Sequence, residues 1–251
     1  MTDLNALYER ALITARSRGA MLIIDGPENA SKAQTWRRDL GIDNPDVAAF
    51  APRLFASNCQ QLSFGAGGAI AGVMARTDQT RGVWKSPAGL QAVIRGSTAQ
   101  VRYTEADVAT LNQNNINPIR VSTSSNTPIV WGSRTMTSDP EWRYISVRRY
   151  FHFLNASIEK GTDWAVLEPN NAATWSAVTA NIKNFMEQQF RSGALSGTSA
   201  NDAYFTHCGL GQTMTQADID NGIMRIVVGF APLRPAEFVV FKISKQMATQ
   251  R

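Results

Sequence analysis

Histidine and cysteine are almost missing from this chain: its 251 residues include only His152, His207, Cys59 and Cys208. Two thiols this far apart in sequence, with no leader-like stretch at the start, read as buried free cysteines of a reducing compartment and exclude a disulfide framework. Two histidines and two cysteines without metal-ligand spacing leave no zinc site. Long apolar runs are missing too. The longest, Ile226 to Ala231 and Phe238 to Phe241, are strand-sized, so no helical membrane span is expected and the protein reads as soluble. Charge is sparse, at 18% of residues against 43% hydrophobic, which is a globular composition. The net charge of +5 is spread out, its longest basic clusters being Arg37-Arg38 and Arg148-Arg149. Nucleic-acid binders gather their basic residues in a stripe or tail, so no nucleic-acid partner is expected, and an acidic protein partner explains the bias equally well.

Enzymatic signatures are absent in the same way. No Gly-x-Ser-x-Gly elbow occurs. The glycine cluster at 65–72 misses a dinucleotide fingerprint because Ile70 stands where glycine is needed. It misses a phosphate loop because Val73 and Met74, not Lys and Ser/Thr, follow Gly72. His207 and Cys208 are sequence neighbours in a strand-like stretch, so they point to opposite faces and form no dyad. Cys59 with His152 stays open as a pair in space. Asp25, Asp43, Asp46 and Asp78 could supply carboxylates, but Asp25-Gly-Pro and Asn44-Pro45-Asp46 read as turns. Asn155-Ala-Ser157 matches a glycosylation sequon yet falls in a predicted helix. No catalytic, cofactor-binding or metal residue is assigned, and no enzyme activity is expected.

What is present is an alternating rhythm. Leu4, Leu7, Tyr8, Ala11, Leu12 and Ala15 form one helical stripe, which Gly19 stops. A short strand over Met21–Ile24, a polar helix over Ser31–Leu40 and a strand over Ala49–Phe55 follow, the order of an α/β layer with parallel pairing. The small residues of 65–76 predict a helix packed closely on a sheet, and Thr104 caps another ending near Asn112. An internal boundary is placed near 115. Beyond it the pattern predicts a strand at Ile129–Trp131, a helix starting at Ser138-Asp139-Pro140-Glu141, and a short strand at Trp164–Leu167. A helix carrying Trp175, Val178, Ile182, Phe185 and Met186 comes next. Strands over 203–208, 222–229 and 237–244 close the chain. There are no internal repeats and no low-complexity tracts.

Several segments, in order along nearly the whole chain, resemble the contractile tail-sheath family of phages, R-type pyocins and extracellular injection systems. They are Arg81-Gly-Val-Trp-Lys-Ser-Pro-Ala-Gly89, Trp131-Gly-Ser-Arg-Thr135, Asp139-Pro-Glu-Trp-Arg-Tyr-Ile-Ser-Val-Arg-Arg149 and Gly161-Thr-Asp-Trp-Ala-Val-Leu-Glu-Pro-Asn-Asn171. Thr213-Met-Thr-Gln-Ala-Asp-Ile-Asp-Asn-Gly222 and Ala231-Pro-Leu-Arg-Pro-Ala-Glu-Phe238 complete the set. The resemblance implies an α/β domain, of the kind compared to subtilisin but without its catalytic residues, over 1–114. An α+β domain over 115–251 follows it. It also implies a homo-oligomer of stacked hexameric rings, a helical sheath that contracts to drive an inner tube through a target envelope. Partners would then be the tube, baseplate and cap proteins. The particle, a phage tail or an injection system, would be assembled in the bacterial cytoplasm.

In the family, exchanged terminal strands tie neighbouring subunits. Residues 236–245 are the candidate here, through Glu237, Phe238, Val239, Val240, Phe241, Lys242 and Ile243. Val239, Phe241 and Ile243 make one apolar face. On the residues alone, pairing within the chain's own sheet stays open; the resemblance implies exchange. Lys183 and Arg191, basic residues on a polar helix face, are the candidate tube contact, with solvated helix charges as the alternative. Arg143, Arg148 and Arg149 are expected to pair with Glu141 and Glu159, and Trp84, Lys85 and Trp164 to anchor the architecture. Relatives carry an N-terminal arm before the segment matching Leu4 to Arg18, whereas Met1 nearly abuts it here; a truncated product, or a subunit with fewer links, is the expectation. A sheath-like paralogue at the baseplate or cap is the second reading, and an α/β hydrolase-like enzyme the third.

Overall fold

The first apolar stripe forms α1 (Thr2–Ser17), which sets Tyr8 and Leu12 against the core. Gly19, at φ +58°, turns the chain toward β1 (Leu22–Asp25). A 3-10 turn (Ala30–Lys32) capped by the Asn29 side chain leads into α2 (Ala33–Leu40). The computed structural model describes residues 2–57, 59–123 and 125–235. The one strand expected over Ala49–Phe55 is two, β2 (Val47–Ala51) and β3 (Leu54–Ala56). Pro52 lies between them and has no N–H for a ladder. β4 (Cys59–Phe64) and β5 (Ser97–Ala99) flank β3 in an antiparallel sheet, with α3 (Gly67–Arg81) inserted between them in sequence. α4 (Glu105–Gln113) opens on the expected Thr104, in a capping box with Asp107.

β6 (Ile116–Val121) and β7 (Pro128–Val130) then join the main sheet, whose order is β1-β2-β6-β7. β1, β2 and β6 run parallel, and β7 is antiparallel to β6. β2 has no solvent face. Val47, Ala49 and Ala51 join Ile24, Leu111 and Ile116 on one side, while Ala48 and Phe50 join Ile70, Val73 and Val130 on the other. Burial on both faces is what a parallel sheet between helical layers demands. β6 and β7, which follow residue 115, complete this sheet.

The second half is built on two long helices, α5 (Ile145–Thr162) and α6 (Ala172–Arg191). α5 starts later than the Ser138–Glu141 signal. Those residues instead form a loop held by Ser138 N–H on the Asp43 carboxylate (2.9 Å), Glu141 N–H on Asp139 (2.9 Å) and Thr135 N–H on the Arg143 carbonyl (2.7 Å). Asp139 makes a turn rather than a helix cap. The strand expected at Trp164–Leu167 is a 3-10 turn (Asp163–Ala165) followed by exposed Val166 and Leu167. Its apolar letters meet no partner strand among the described residues. After α7 (Ala200–Ala203), β8 (Tyr204–His207) pairs antiparallel with β9 (Val227–Phe230), which follows α8 (Gln216–Asp220). Tyr150, Leu154, Val178, Ile182 and Met186 pack α5 on α6, with Val228 and Phe230 of β9 against them. The strand expected over 237–244 lies outside the described residues.

Candidate assembly site

Several of the recurring segments turn out to be architecture that stiffens one body. α3 ends at Gly82, which sits at φ +90°, and a Cβ there would collide with the Trp84 ring. The ring folds back over the glycine and meets Tyr150 edge-on, centroids 6.2 Å apart, so Arg81-Gly-Val-Trp fastens the first half to α5. Gly82→Ala should lower stability by about 1–3 kcal/mol, through positive-φ strain and a displaced indole, read from the urea midpoint. An unchanged midpoint would mean the ring moves freely. Gly132 plays a similar part. A Cβ there would stand 2.7 Å from the Asn117 Cα, so the Trp131–Thr135 segment can lie flat against β6.

Asn117 is fully buried. Its amide donates to the Ala49 carbonyl (3.0 Å) and the Arg134 carbonyl (2.7 Å), and its oxygen accepts from Arg134 N–H (2.6 Å). One side chain thus stitches β2, β6 and the following segment together.

α5 is locked by charge. Asp46, 2% exposed, accepts from Arg148 Nε (2.5 Å), Arg148 Nη2 (2.9 Å) and His152 Nε2 (2.7 Å), with Arg16 of α1 at 3.9 Å. Since an ionised carboxylate only accepts, His152 carries its proton on Nε2 in this contact. Burial pushes the Asp46 carboxyl up, but the hydrogen bonds from His152 and Arg148 and their charges outweigh it and bring the carboxyl down to about 2. Arg149 forks onto Asp78 of α3 (2.8 and 2.6 Å). The expected pairing of Arg148 and Arg149 with Glu141 and Glu159 is therefore corrected: their partners are Asp46 and Asp78, brought across from the first half. The sequence did carry a signal, since Arg148 and His152 stand four apart on one helix face.

In the glycine cluster a Cβ at Gly68 or Gly72 would meet nothing within 4 Å, so those two do not supply the expected close approach to the sheet, whereas one at Gly65 would collide with the Asp25 carboxylate. The Asp25 carboxylate accepts from Ala66 N–H (3.0 Å) at the start of α3, and faces Arg53 at 3.4 Å. A phosphate would find that helix end already taken by negative charge. Cys208 is half-buried and free, and burial pushes its thiol up, away from nucleophilic character. Trp164 is 45% exposed.

The surfaces suited to assembly lie on the second half. β8 and β9 form a two-stranded ribbon among the described residues. Beside β9, the side chains Phe151, Leu154 and Ile158 of α5 and Ile226, Val228 and Phe230 line a groove of about 220 Å³. Lys183 and Arg191 are both exposed on α6, but Arg191 donates to Glu187 at 2.8 Å, which halves the free positive charge of that pair. Glu237, Phe238, Val239, Val240, Phe241, Lys242 and Ile243 lie outside the described residues.

Comparison with known proteins covers nearly the whole of this architecture. Residues 2–136 match the family model described as the phage tail sheath protein central domain, and 137–245 match the phage tail sheath C-terminal domain. The junction at 136/137 falls after β7. The tail sheath protein of Enterobacteria phage T4 is 31% identical over 121 residues, covering 47% of this chain and 18% of that protein. A chain of the anti-feeding prophage helical sheath in its contracted state superimposes with a TM-score of 0.83 at 36% identity, covering 98% of this chain and 67% of that one. A chain of the PVC extracellular contractile injection system sheath, also contracted, gives 0.82 at 34% identity over 89% and 63%. The chain spans less than half the length of the curated relatives it matches.

Proposed function

The chain belongs to the phage tail sheath family, and we propose that it polymerises with copies of itself as helical hexameric rings around an inner tube. On this reading the sheath, assembled in the bacterial cytoplasm, contracts to drive that tube through a target envelope, with baseplate and cap proteins at its ends. The role is mechanical, and no catalytic step is assigned to it. The observation that carries the reading is the ribbon β8–β9 beside an apolar groove. A two-stranded ribbon is marginal alone, and α5 overhangs β9 with Phe151 and Ile158 available to a further strand. The tail of a neighbour, with Val239, Phe241 and Ile243 on one face, has the period to fill that groove. Five or six ladder bonds at about 0.5–1.5 kcal/mol each would give several kcal/mol per link. Lys183 and Arg191 are assigned to an acidic surface of the tube.

Val240→Pro tests the exchange. Proline removes one ladder donor and forbids its neighbours' register, so sheath formation should need about tenfold more protein, with the monomer's thermal midpoint unchanged. Assembly at the wild-type concentration would sink the exchange.

A further inference from the structure

Two of the recurring segments carry features that the fold leaves unused. The first is the loop that follows α5. Its Val166 and Leu167 are 71% and 100% exposed beside the half-exposed Trp164, and Leu167 holds a left-handed backbone at φ +71°. A leucine strained in that way and fully exposed returns no burial to its own chain. Asp163 and Glu168 flank these apolar residues, and neither carboxylate meets a cation among the described residues. The second is a groove of about 500 Å³ between the end of α3 and the segment 85–92. Arg76, Arg81 and Lys85 line it together with Leu90, which is 76% exposed, and nothing acidic among the described residues does. Arg76 donates to the Val93 carbonyl at 2.7 Å and Arg81 to Gln91 Oε1 at 2.8 Å, so both are aimed by neutral groups and keep their charge unbalanced. The Lys85 ammonium has no hydrogen bond or ion pair among the described residues. A cleft lined by one sign of charge concentrates its field on whatever enters.

We infer that the loop 163–168 of one copy seats in this groove on a second copy, with Leu167 against Leu90 and Glu168 among the three cations. An acidic loop with an apolar tip and a basic groove with an apolar rim are complementary in both charge and hydrophobicity. The loop does not serve the groove of its own chain. Arg149, at the start of α5, holds Asp78 of α3 beside the groove, whereas Thr162 ends the same helix about 20 Å away. Nor does the chain's own tail suit the groove, since residues 236–251 set Glu237 against Lys242, Lys245 and Arg251. Loop and groove lie on different parts of the molecule, so the contact is head-to-tail. Such a contact propagates as a ring or a helix instead of stopping at a dimer. It rests on the self-assembly proposed above and gives that assembly an interface separate from the strand link.

The test is photo-crosslinking in the full chain at high concentration, with no tube protein present. The photoreactive amino acid p-benzoylphenylalanine replaces Leu167, whose full exposure lets the fold accept it, and the product is mixed with heavy-isotope-labelled chain lacking the probe. The expected adduct joins the probe to a labelled peptide within 76–92. Glu168→Lys on the probe chain should cut the yield of that adduct about tenfold, and Lys85→Glu on the labelled chain should then recover at least about threefold. That recovery distinguishes a charge contact from a weakened fold. Adducts confined to the probe's own chain, to residues 236–251 or to other surfaces would overturn the contact, as would no adduct at all or a yield indifferent to Glu168→Lys. Rings or tubes on the microscope grid with adducts elsewhere would sink the contact and leave the sheath reading standing. Groove adducts from a chain that never forms rings or tubes would uphold the contact and count against the sheath.

Discussion

Replacing Asp46 by alanine is expected to cost about 3–5 kcal/mol of stability, because it strands Arg148 and His152 without their shared carboxylate. Arg148 has only 15% of its side chain exposed and His152 14%, so solvent cannot take over. Arg148 would keep its stacking on Trp142 and Phe151, each about 4.9 Å from the guanidinium carbon, which caps the loss short of complete unfolding. The pH dependence has a definite sign. The folded Asp46 carboxyl lies at about 2, below its ordinary 3.8, so its contribution is complete above that ordinary value and drains away as pH falls toward 2. Urea midpoints at pH 7 and pH 3 should therefore differ in the wild type, and Asp46→Ala should flatten that difference. An Asp46→Ala chain as stable as wild type at pH 7 would remove the cluster from any structural role.

The second large effect is at Asn117. Asn117→Asp keeps the shape but removes both N–H donors, leaving the Ala49 and Arg134 carbonyls facing a buried carboxyl instead of an amide. A loss of at least about 3 kcal/mol follows from two orphaned acceptors and a desolvated acid. Here the sign reverses. Burial favours the neutral acid, so the variant should come closest to wild type at acidic pH and fall further behind as pH rises through the carboxyl range. Asn117→Ser, which can still donate one bond, should lose less at neutral pH. Equal losses for the two variants would show that packing, not hydrogen bonding, sets the cost.

Much of the architecture was legible because it is written locally. Stripes such as Tyr8 and Leu12 and the Thr104 cap need only neighbours a few residues away to be read. What sequence reading missed is non-local. Asp46 looks like a turn residue until Arg148 and His152 arrive from α5, and Asp25 looks like a turn until the start of α3 is placed against it. Ser138-Asp139-Pro140 carries a helix-start signal that the Thr135–Arg143 pairing overrides, and Trp164–Leu167 carries a strand composition with no described strand beside it. The pairing of β6 with β2 is non-local in the same way, since it spans most of the first half. The proposed tube-contact residues could be placed on a helix from the sequence, but not their neighbours. The spacing of Lys183 and Arg191 places both on exposed α6, but the Glu187 that shares Arg191 is recognised only once the side chains are in place.

The most direct test of the mechanical reading is negative-stain electron microscopy of the purified chain at high concentration, alone and with a matching tube protein. The account predicts hollow rings or tubes with a cogwheel cross-section, more abundant when the tube protein is present. A monodisperse monomer under both conditions would contradict it.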